Sequence, residues 1–194
     1  MKEVILASQS PRRKQLLEWA EIPFRVVVPD ADESFSTEME VQKIPIYIAQ
    51  QKVLAVKQLL ANDKSLTDDD IILAADTIVV LGNQVINKPV DRADAIAILN
   101  SLSAKKHQVI TGVVLQKGTI NHSFSVTTEV VFHELTQEQI EFYVDNYQPY
   151  DKAGAYAIQE WIGVIGIASI NGDFYNVMGL PVSAVVQALH TINL

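Results

Sequence analysis

An ionisable carboxylate interrupts an apolar run near the middle of the chain, at Asp76 within the stretch 71–81. An unpaired buried charge costs several kcal/mol, so this carboxylate must be paired with a cation, bind a metal ion or lie at an active-site surface. A structural aspartate satisfied by backbone amides is the alternative. Asp76 is therefore the first candidate for chemistry in this sequence.

A second candidate is the segment Ser8-Gln9-Ser10-Pro11-Arg12-Arg13, where a predicted strand turns into a predicted helix. Free backbone N–H groups and the positive end of the helix dipole make such a turn an anion site. Arginines in the first helical turn oppose the dipole unless an anion such as phosphate binds there. The alternative is that Ser10 only caps the helix and that Arg12 and Arg13 are solvated.

Two lysines occupy positions at which a charged side chain is not needed for solubility. Lys52 lies beside the apolar face of a predicted helix, and Lys88 follows a predicted hairpin and precedes Pro89, which restricts it to extended conformations. Both side chains have room to reach solvent along their apolar stems. Phosphate oxygens also need cations that act as point charges, and this gives the two lysines a second role to test.

Helices and strands interleave along the chain, which predicts an α/β fold with a mixed sheet. Strands are predicted at 4–7, 24–28, 71–81, 85–86, 109–116, 124–133 and 164–170. Helices are predicted from Pro11 to about Ala20, from near Pro45 to the polar stretch 62–70, from the cap Asp91 to about Leu102, from the capping box Thr136/Gln139 to before Pro149, and from Pro181 onwards. The turns at 151–159 and 171–181 carry amide and carboxylate side chains suited to a pocket that reads a nucleobase.

Composition excludes several classes of protein. The formal charge of −8 argues against binding extended nucleic acid, although a compact polyphosphate needs only a few cations. The absence of cysteine rules out thiolate metal sites and cysteine nucleophiles and suits a cytoplasmic location. Neither a secretory leader nor a membrane-spanning run is expected, and no P-loop or Rossmann glycine motif is present.

Taken together, the segments from Leu6 to Pro181 resemble the Maf family. The resemblance is carried by ordered blocks, which are LASQSPRR from Leu6, Asp32-Glu33, Lys52, AADT from Ala74, Lys88-Pro89, HQVITGV from His107, DKAGAY from Asp151 and GDFYNV from Gly172. The chain departs from the family pattern at Glu160-Trp161, where a glycine is expected.

The resemblance implies a single domain over residues 1–194, with an elongated mixed sheet flanked by helices and two lobes around a central cleft, as in inosine-triphosphatase-like folds. It implies hydrolysis of a nucleoside triphosphate between the α- and β-phosphates, dependent on Mg²⁺ or Mn²⁺. Asp76 then stands at the position of the proposed proton acceptor, with a role as metal ligand as the alternative, and Glu33 is the second candidate metal ligand. Residues implied around the phosphates are Ser8, Ser10, Arg12, Arg13, Lys52 and Lys88.

Three residues match the family branch that acts on dTTP and UTP, namely Arg12 again, Thr77 and Gln159. The resemblance thus implies dTTP or UTP, or modified pyrimidine nucleotides, as substrates. A nucleotide-binding regulator of septum formation without significant catalysis is the alternative. Neither nucleic acid nor membrane is an expected partner, and a homodimer is left open.

Overall fold

A mixed seven-stranded sheet flanked by helices forms the framework in the ranges 2–28, 30–62 and 65–192, which this computed structural model describes. The strand order is β2-β1-β3-β5-β6-β7, and β4 pairs with β3. The strands are β1 (Val4–Leu6), β2 (Phe24–Val26), β3 (Ile71–Leu81), β4 (Gln84–Ile86), β5 (Lys106–Lys117), β6 (Ile120–Phe132) and β7 (Ile167–Asn171). The predicted α/β class with a mixed sheet is confirmed.

Parallel and antiparallel pairings occur in the same sheet. Strand β1 runs parallel to β2 and β3, with Val4 opposite Phe24 on one side and Ile71 on the other. Strands β3 and β4 form the predicted hairpin, with Val79 opposite Ile86, and Gly82 takes the positive φ of 63° that the tight turn requires. Strands β6 and β7 are also antiparallel.

Several of the helices begin at residues whose side chains cap them. They are α1 (Pro11–Trp19), α2 (Ile44–Asn62), α3 (Arg92–Leu102), α4 (Gln137–Tyr147), α5 (Trp161–Gly166), α6 (Phe174–Met178) and α7 (Val182–Ile192). Asp91 caps α3 by accepting from the Asp94 N–H, and Thr136 with Gln139 forms the predicted capping box of α4. The predicted polar stretch 62–70 lies partly outside the described residues. Within the described ranges no helix is long and apolar enough to cross a membrane.

Two expectations about the last third of the chain are wrong. The predicted strand at 164–170 begins only at Ile167, because residues 161–166 form α5. The Gly163 and Val164 N–H groups both donate to the Glu160 carbonyl oxygen, and a Cβ at Gly163 would lie 1.8 Å from the Ile158 carbonyl oxygen. These contacts within residues 158–164 start a helical turn that the β-propensity of the apolar run does not indicate. The short helix α6 was not predicted, and the Asp173 carboxylate caps it by accepting from the Tyr175 N–H at 2.7 Å.

The chain divides into two compact units. The first comprises Met1–Asp76, Thr111–Val126 and Gly179–Leu194, and the second comprises Thr77–Ile110 and Thr127–Met178. Strands β3, β5 and β6 contribute residues to both. The expected single domain over 1–194, with two lobes around a central cleft, stays a prediction.

In the first unit, α2 packs its apolar face against the sheet. Its buried residues Ala49, Val53 and Val56 join one core cluster with Ile5 of β1 and Ile72 of β3. This burial fixes the rotation of α2 about its axis, because the apolar residues recur at helical spacing. Lys52 is therefore held in place by the core packing of its neighbours.

Gly112 of β5 permits the close approach of α2 to the sheet. A Cβ at this position would lie 2.3 Å from the Ile46 nitrogen and 2.4 Å from the Pro45 carbonyl carbon, both in the first turn of α2. Such contacts involve backbone and could be relieved only by moving the helix. The glycine thus sets the distance between the strand and the helix that carries Lys52.

The second unit contains a buried aromatic cluster around His107. The His107 Nε2 atom lies 2.8 Å from the Tyr156 hydroxyl, and the imidazole stacks on Phe132 with ring centroids 5.4 Å apart. His107 is 1% exposed, and burial lowers its pKa to about 4. The imidazole is therefore neutral in the folded protein at neutral pH.

We expect the free energy of unfolding to fall by about 2 kcal/mol between about pH 7 and about pH 5 because of His107. In the unfolded chain this histidine takes up a proton below its ordinary pKa of 6.5, whereas the folded protein resists protonation down to about pH 4. Acid thus favours the unfolded state throughout this window. Urea unfolding at several pH values measures the slope.

His107→Gln removes the titration and keeps a polar partner for the buried Tyr156 hydroxyl, so the slope should become shallower. His122→Gln is the matched control, since His122 is exposed. A slope that persists in His107→Gln, or disappears in His122→Gln, would assign the pH dependence to another group.

Candidate functional site

The carboxylate of Asp76 is paired with the ammonium of Lys52. Lys52 Nζ lies 2.7 Å from Asp76 Oδ1 and 2.8 Å from Glu33 Oε1, so one ammonium contacts both carboxylates. Lys52 is 8% exposed, whereas the Glu33 side chain is 46% exposed. Asp76 is thus paired with a cation, which is one of the three arrangements expected of it, and the alternative of a solvent-seeking Lys52 is wrong.

Glu33 reaches this pair from a loop shaped by a local turn. Asp32 accepts hydrogen bonds at 2.9 Å from both the backbone N–H and the hydroxyl of Ser34, so the two residues that flank Glu33 are tied together. The backbone hydrogen bond from Ser34 holds the pKa of Asp32 below its usual range. Asp32 therefore stays ionised and orients the loop, and Glu33 presents an exposed carboxylate next to a buried ammonium.

The turn between β1 and α1 is organised by Arg13. Its Nη1 donates to Ser8 Oγ at 3.2 Å and its Nε donates to the carbonyl oxygen of Gly179 at 2.8 Å. Ser10 is the N-cap of α1 and accepts from the Arg13 backbone N–H, as its position predicted. Arg13 is 8% exposed, so the alternative of a solvated surface arginine is wrong for this residue.

The two carboxylates and Arg13 belong to one electrostatic environment. Burial lowers the pKa of Arg13, and the charges of Asp76 and Glu33 oppose that shift while the neighbouring Arg12 adds to it. Arginine stays protonated in proteins, so the guanidinium remains a cation here. Ser8, Arg13, Glu33, Lys52 and Asp76 thus form a mixed-charge cluster within the first unit.

The donor chemistry of this cluster fits a hard divalent cation. Glu33 and Asp76 offer carboxylate oxygens, and Mg²⁺ is usually bound through one or two carboxylates together with substrate phosphates. No group of three or more metal-ligating side chains exists among the described residues. A metal bound here would share the two carboxylates with Lys52 and would take its remaining ligands from the substrate and water.

For the other predicted site residues the structure gives the position and the exposure but not the role. Arg12 is half-buried in the first turn of α1, in the first unit. Thr77 follows Asp76 in β3, Lys88 is exposed after β4, and Gln159 is exposed in the turn before α5; all three belong to the second unit. Their contribution to substrate binding stays a prediction.

Two contacts of the candidate residues and their neighbours were not predicted from the sequence. The Gly179 carbonyl that holds Arg13 is 166 residues away in the chain, so no local signal marks it. Tyr143 and Glu160, whose side chains form a hydrogen bond beside Gln159, are likewise brought together only by folding. The departure from the family pattern at Glu160 was the one available hint.

Comparison with known proteins adds the family. The family model described as "Maf-like protein" matches residues 3–192, which is nearly the whole chain. The chain belongs to the Maf family. The resemblance read from the sequence is confirmed.

Curated relatives within the family carry a consistent name. A Parabacteroides distasonis protein named dTTP/UTP pyrophosphatase is 48% identical over 96% of this chain and 94% of its own length. Proteins of the same name from Cytophaga hutchinsonii and Bacteroides thetaiotaomicron are 46% and 45% identical, over 96% and 93% of this chain and 83% and 91% of theirs. The chain is thus similar to these Maf proteins over almost its full length.

Proposed function

We infer that this Maf protein is a hydrolase that cleaves dTTP and UTP to the monophosphate and pyrophosphate. Relatives at 40–48% identity over nearly the whole chain share the name dTTP/UTP pyrophosphatase. The observation in the structure that carries the inference is the contact of Lys52 Nζ with both Asp76 and Glu33 beside the Arg13 guanidinium. Such a cluster offers both a base for water and cations for phosphate.

The reaction we propose is in-line attack of water on the α-phosphorus. The water oxygen bonds to the α-phosphorus as the bond from that phosphorus to the bridging oxygen of the β-phosphate breaks, and pyrophosphate leaves. Asp76 accepts the proton of the attacking water. Its side chain is 13% exposed, which lets water reach it while the pairing with Lys52 fixes its orientation.

Cations of the site have distinct roles in this proposal. Lys52 orients the Asp76 carboxylate through their 2.7 Å contact. Arg13 donates to Ser8 and to the Gly179 carbonyl oxygen, so it stabilises the phosphate-binding turn as well as adding positive charge. Arg12 and Lys88 bind phosphate oxygens, where point charges and guanidinium forks serve best. Ser8 and Ser10, at the start of α1, complete the anion site.

Glu33 is the residue that would hold Mg²⁺ or Mn²⁺ while Asp76 serves as the base; if Asp76 instead held the ion, it would share it with Glu33. Such an ion, when bound, neutralises negative charge on the phosphate oxygens. Thr77 and Gln159, with Arg12, select the pyrimidine base. A cytoplasmic location belongs to the same proposal, since a chain without cysteine needs no oxidising compartment.

The test is pyrophosphate release from a panel of dTTP, UTP, CTP, ATP, GTP and 7-methyl-GTP, each with Mg²⁺, with Mn²⁺ and with EDTA. We expect dTTP and UTP to be hydrolysed with at least about tenfold higher kcat/KM than the others, and EDTA to remove the activity. The panel reports the reaction, the base preference and the metal requirement together.

Two outcomes would contradict the proposal. Nucleotide binding without pyrophosphate release from any member of the panel would favour the regulator of septum formation. Full activity in EDTA would show that the reaction needs no metal ion and that Glu33 has no metal-binding role.

A further inference from the structure

Gln159 is an exposed residue in a tight turn. Its two preceding neighbours, Ala157 and Ile158, are only 5% and 4% exposed, whereas Gln159 is exposed. The Glu160 N–H donates to the Ala157 carbonyl oxygen at 3.1 Å and closes the turn. The direction of the Gln159 side chain is therefore set by the conformation of residues 157–160.

Two consecutive residues of helix α4, Phe142 and Tyr143, contact this turn and the residue that follows it. The Tyr143 hydroxyl accepts from the Ala157 N–H at 3.1 Å and donates to the Glu160 carboxylate, so one buried hydroxyl joins both ends of the turn. The neighbouring Phe142 packs on Trp161, with ring centroids 4.7 Å apart. The turn is thus fastened at its start, at its end and at the residue that follows.

Glu160 also meets a buried cation. Its Oε1 lies 3.6 Å from Lys152 Nζ, whose side chain is 10% exposed and which is paired more closely with Asp151 at 2.7 Å. Glu160 precedes α5 at the N-cap position, yet its side chain makes no capping hydrogen bond. Its carboxylate is therefore committed to Tyr143 and Lys152.

We propose that Glu160, through Tyr143, is a positioning residue that fixes Gln159 for base selection. This inference rests on the proposed function, in which Gln159 contacts the nucleobase. Loss of the Glu160 carboxylate frees one end of the turn, so Gln159 samples more directions and its contact with the base weakens. Ordering that turn on binding then costs free energy, which raises KM more than it lowers kcat.

The experiment compares Glu160→Ala, Glu160→Gln and Asp145→Asn with the parent chain. Glu160→Ala should raise KM for dTTP and UTP about tenfold with kcat within about twofold, and should reduce the preference over CTP. Glu160→Gln keeps an oxygen that accepts from the Tyr143 hydroxyl and should recover most of the loss. Lys152 keeps Asp151 as its partner in both variants, so the protein should fold.

Asp145→Asn is the control for a purely structural effect. Asp145 lies on the same helix α4 and accepts from Arg92 at 2.6 Å, so its removal weakens the second unit without touching the turn. It should lower the melting temperature and leave the ratio of kcat/KM for dTTP over CTP unchanged. An equal loss of melting temperature in Glu160→Ala with an unchanged KM would overturn the proposal.

Hydrogen exchange of the backbone amides at 157–160 separates this inference from the proposed function. Faster exchange in Glu160→Ala than in the parent supports the positioning role even if no triphosphate is hydrolysed, in which case only the proposed function fails. Unchanged exchange shows that the turn is rigid without Glu160 and overturns the inference whatever the activity of the parent chain.

Discussion

Asp76→Asn should lower kcat for dTTP hydrolysis by about 10³-fold, within the range that general-base catalysis contributes. In the parent protein Lys52 Nζ lies 2.7 Å from Asp76 Oδ1. The asparagine amide has the size of the carboxylate and still offers an oxygen to this ammonium. It cannot take the proton of the attacking water. Single-turnover release of pyrophosphate measures the loss, and nucleotide affinity measured by calorimetry should stay within about threefold of the parent.

Asp70→Asn is the matched control for this substitution. Asp70 directly precedes β3, which also carries Asp76, and its carboxylate accepts from the backbone and hydroxyl of Thr67 at 2.7 and 2.8 Å. Both hydrogen bonds end on Oδ2, which the amide oxygen of asparagine can replace, so turnover should be unchanged. Near-normal turnover in Asp76→Asn would remove Asp76 from catalysis, and lost turnover in Asp70→Asn would show that any change near the strand impairs the enzyme.

Lys52→Gln should reduce both activity and stability. Removing the ammonium leaves the carboxylates of Asp76 and Glu33 facing each other without the cation that now contacts both. Breaking a buried ion pair by deleting one partner costs about 3 kcal/mol of unfolding free energy, and kcat/KM should fall by about 10²-fold because Asp76 loses its orientation. Urea unfolding and pyrophosphate release provide the two measurements.

Two comparisons distinguish the electrostatic cause from simple damage to α2. Lys57→Gln changes the same residue type on the same helix, and Lys57 is less buried than Lys52, so it should cost little. The double variant Lys52→Gln/Asp76→Asn should recover about 1 to 3 kcal/mol of the stability that Lys52→Gln loses, because one of the two repelling charges is gone. Strictly additive losses would show that Lys52 and Asp76 are not coupled.

Local signals predicted most of the elements. The serine and proline that open α1, the capping box of α4 and the Gly82-Asn83 turn each act through backbone groups a few residues away. Signals of this kind do not depend on the rest of the fold. The ends of β5 and β6 extend further than predicted, from Lys106 and Ile120, because ladder pairing continues through polar residues that a strand pattern excludes.

The secondary structure of residues 161–170 could not be determined from the local sequence pattern. Residues 161–170 are apolar and β-branched enough for one strand, yet the structure divides them into α5 and β7. Close packing of Gly163 on the Ile158 backbone and of Gly166 on Leu135 favours the helix. Periodicity alone cannot separate a short buried helix from a strand, since both are apolar runs.

From the sequence alone came the α/β class, the serine-capped turn before α1 and the requirement that a buried Asp76 be satisfied, because these follow from spacing, capping and the cost of a buried charge. Only the tertiary structure decided which partners meet. Lys52 reaches Asp76 across 24 residues, Arg13 reaches the Gly179 carbonyl across 166, and Tyr143 reaches Glu160 across 17. Such contacts depend on the packing of helices against the sheet, which a linear pattern constrains but does not specify.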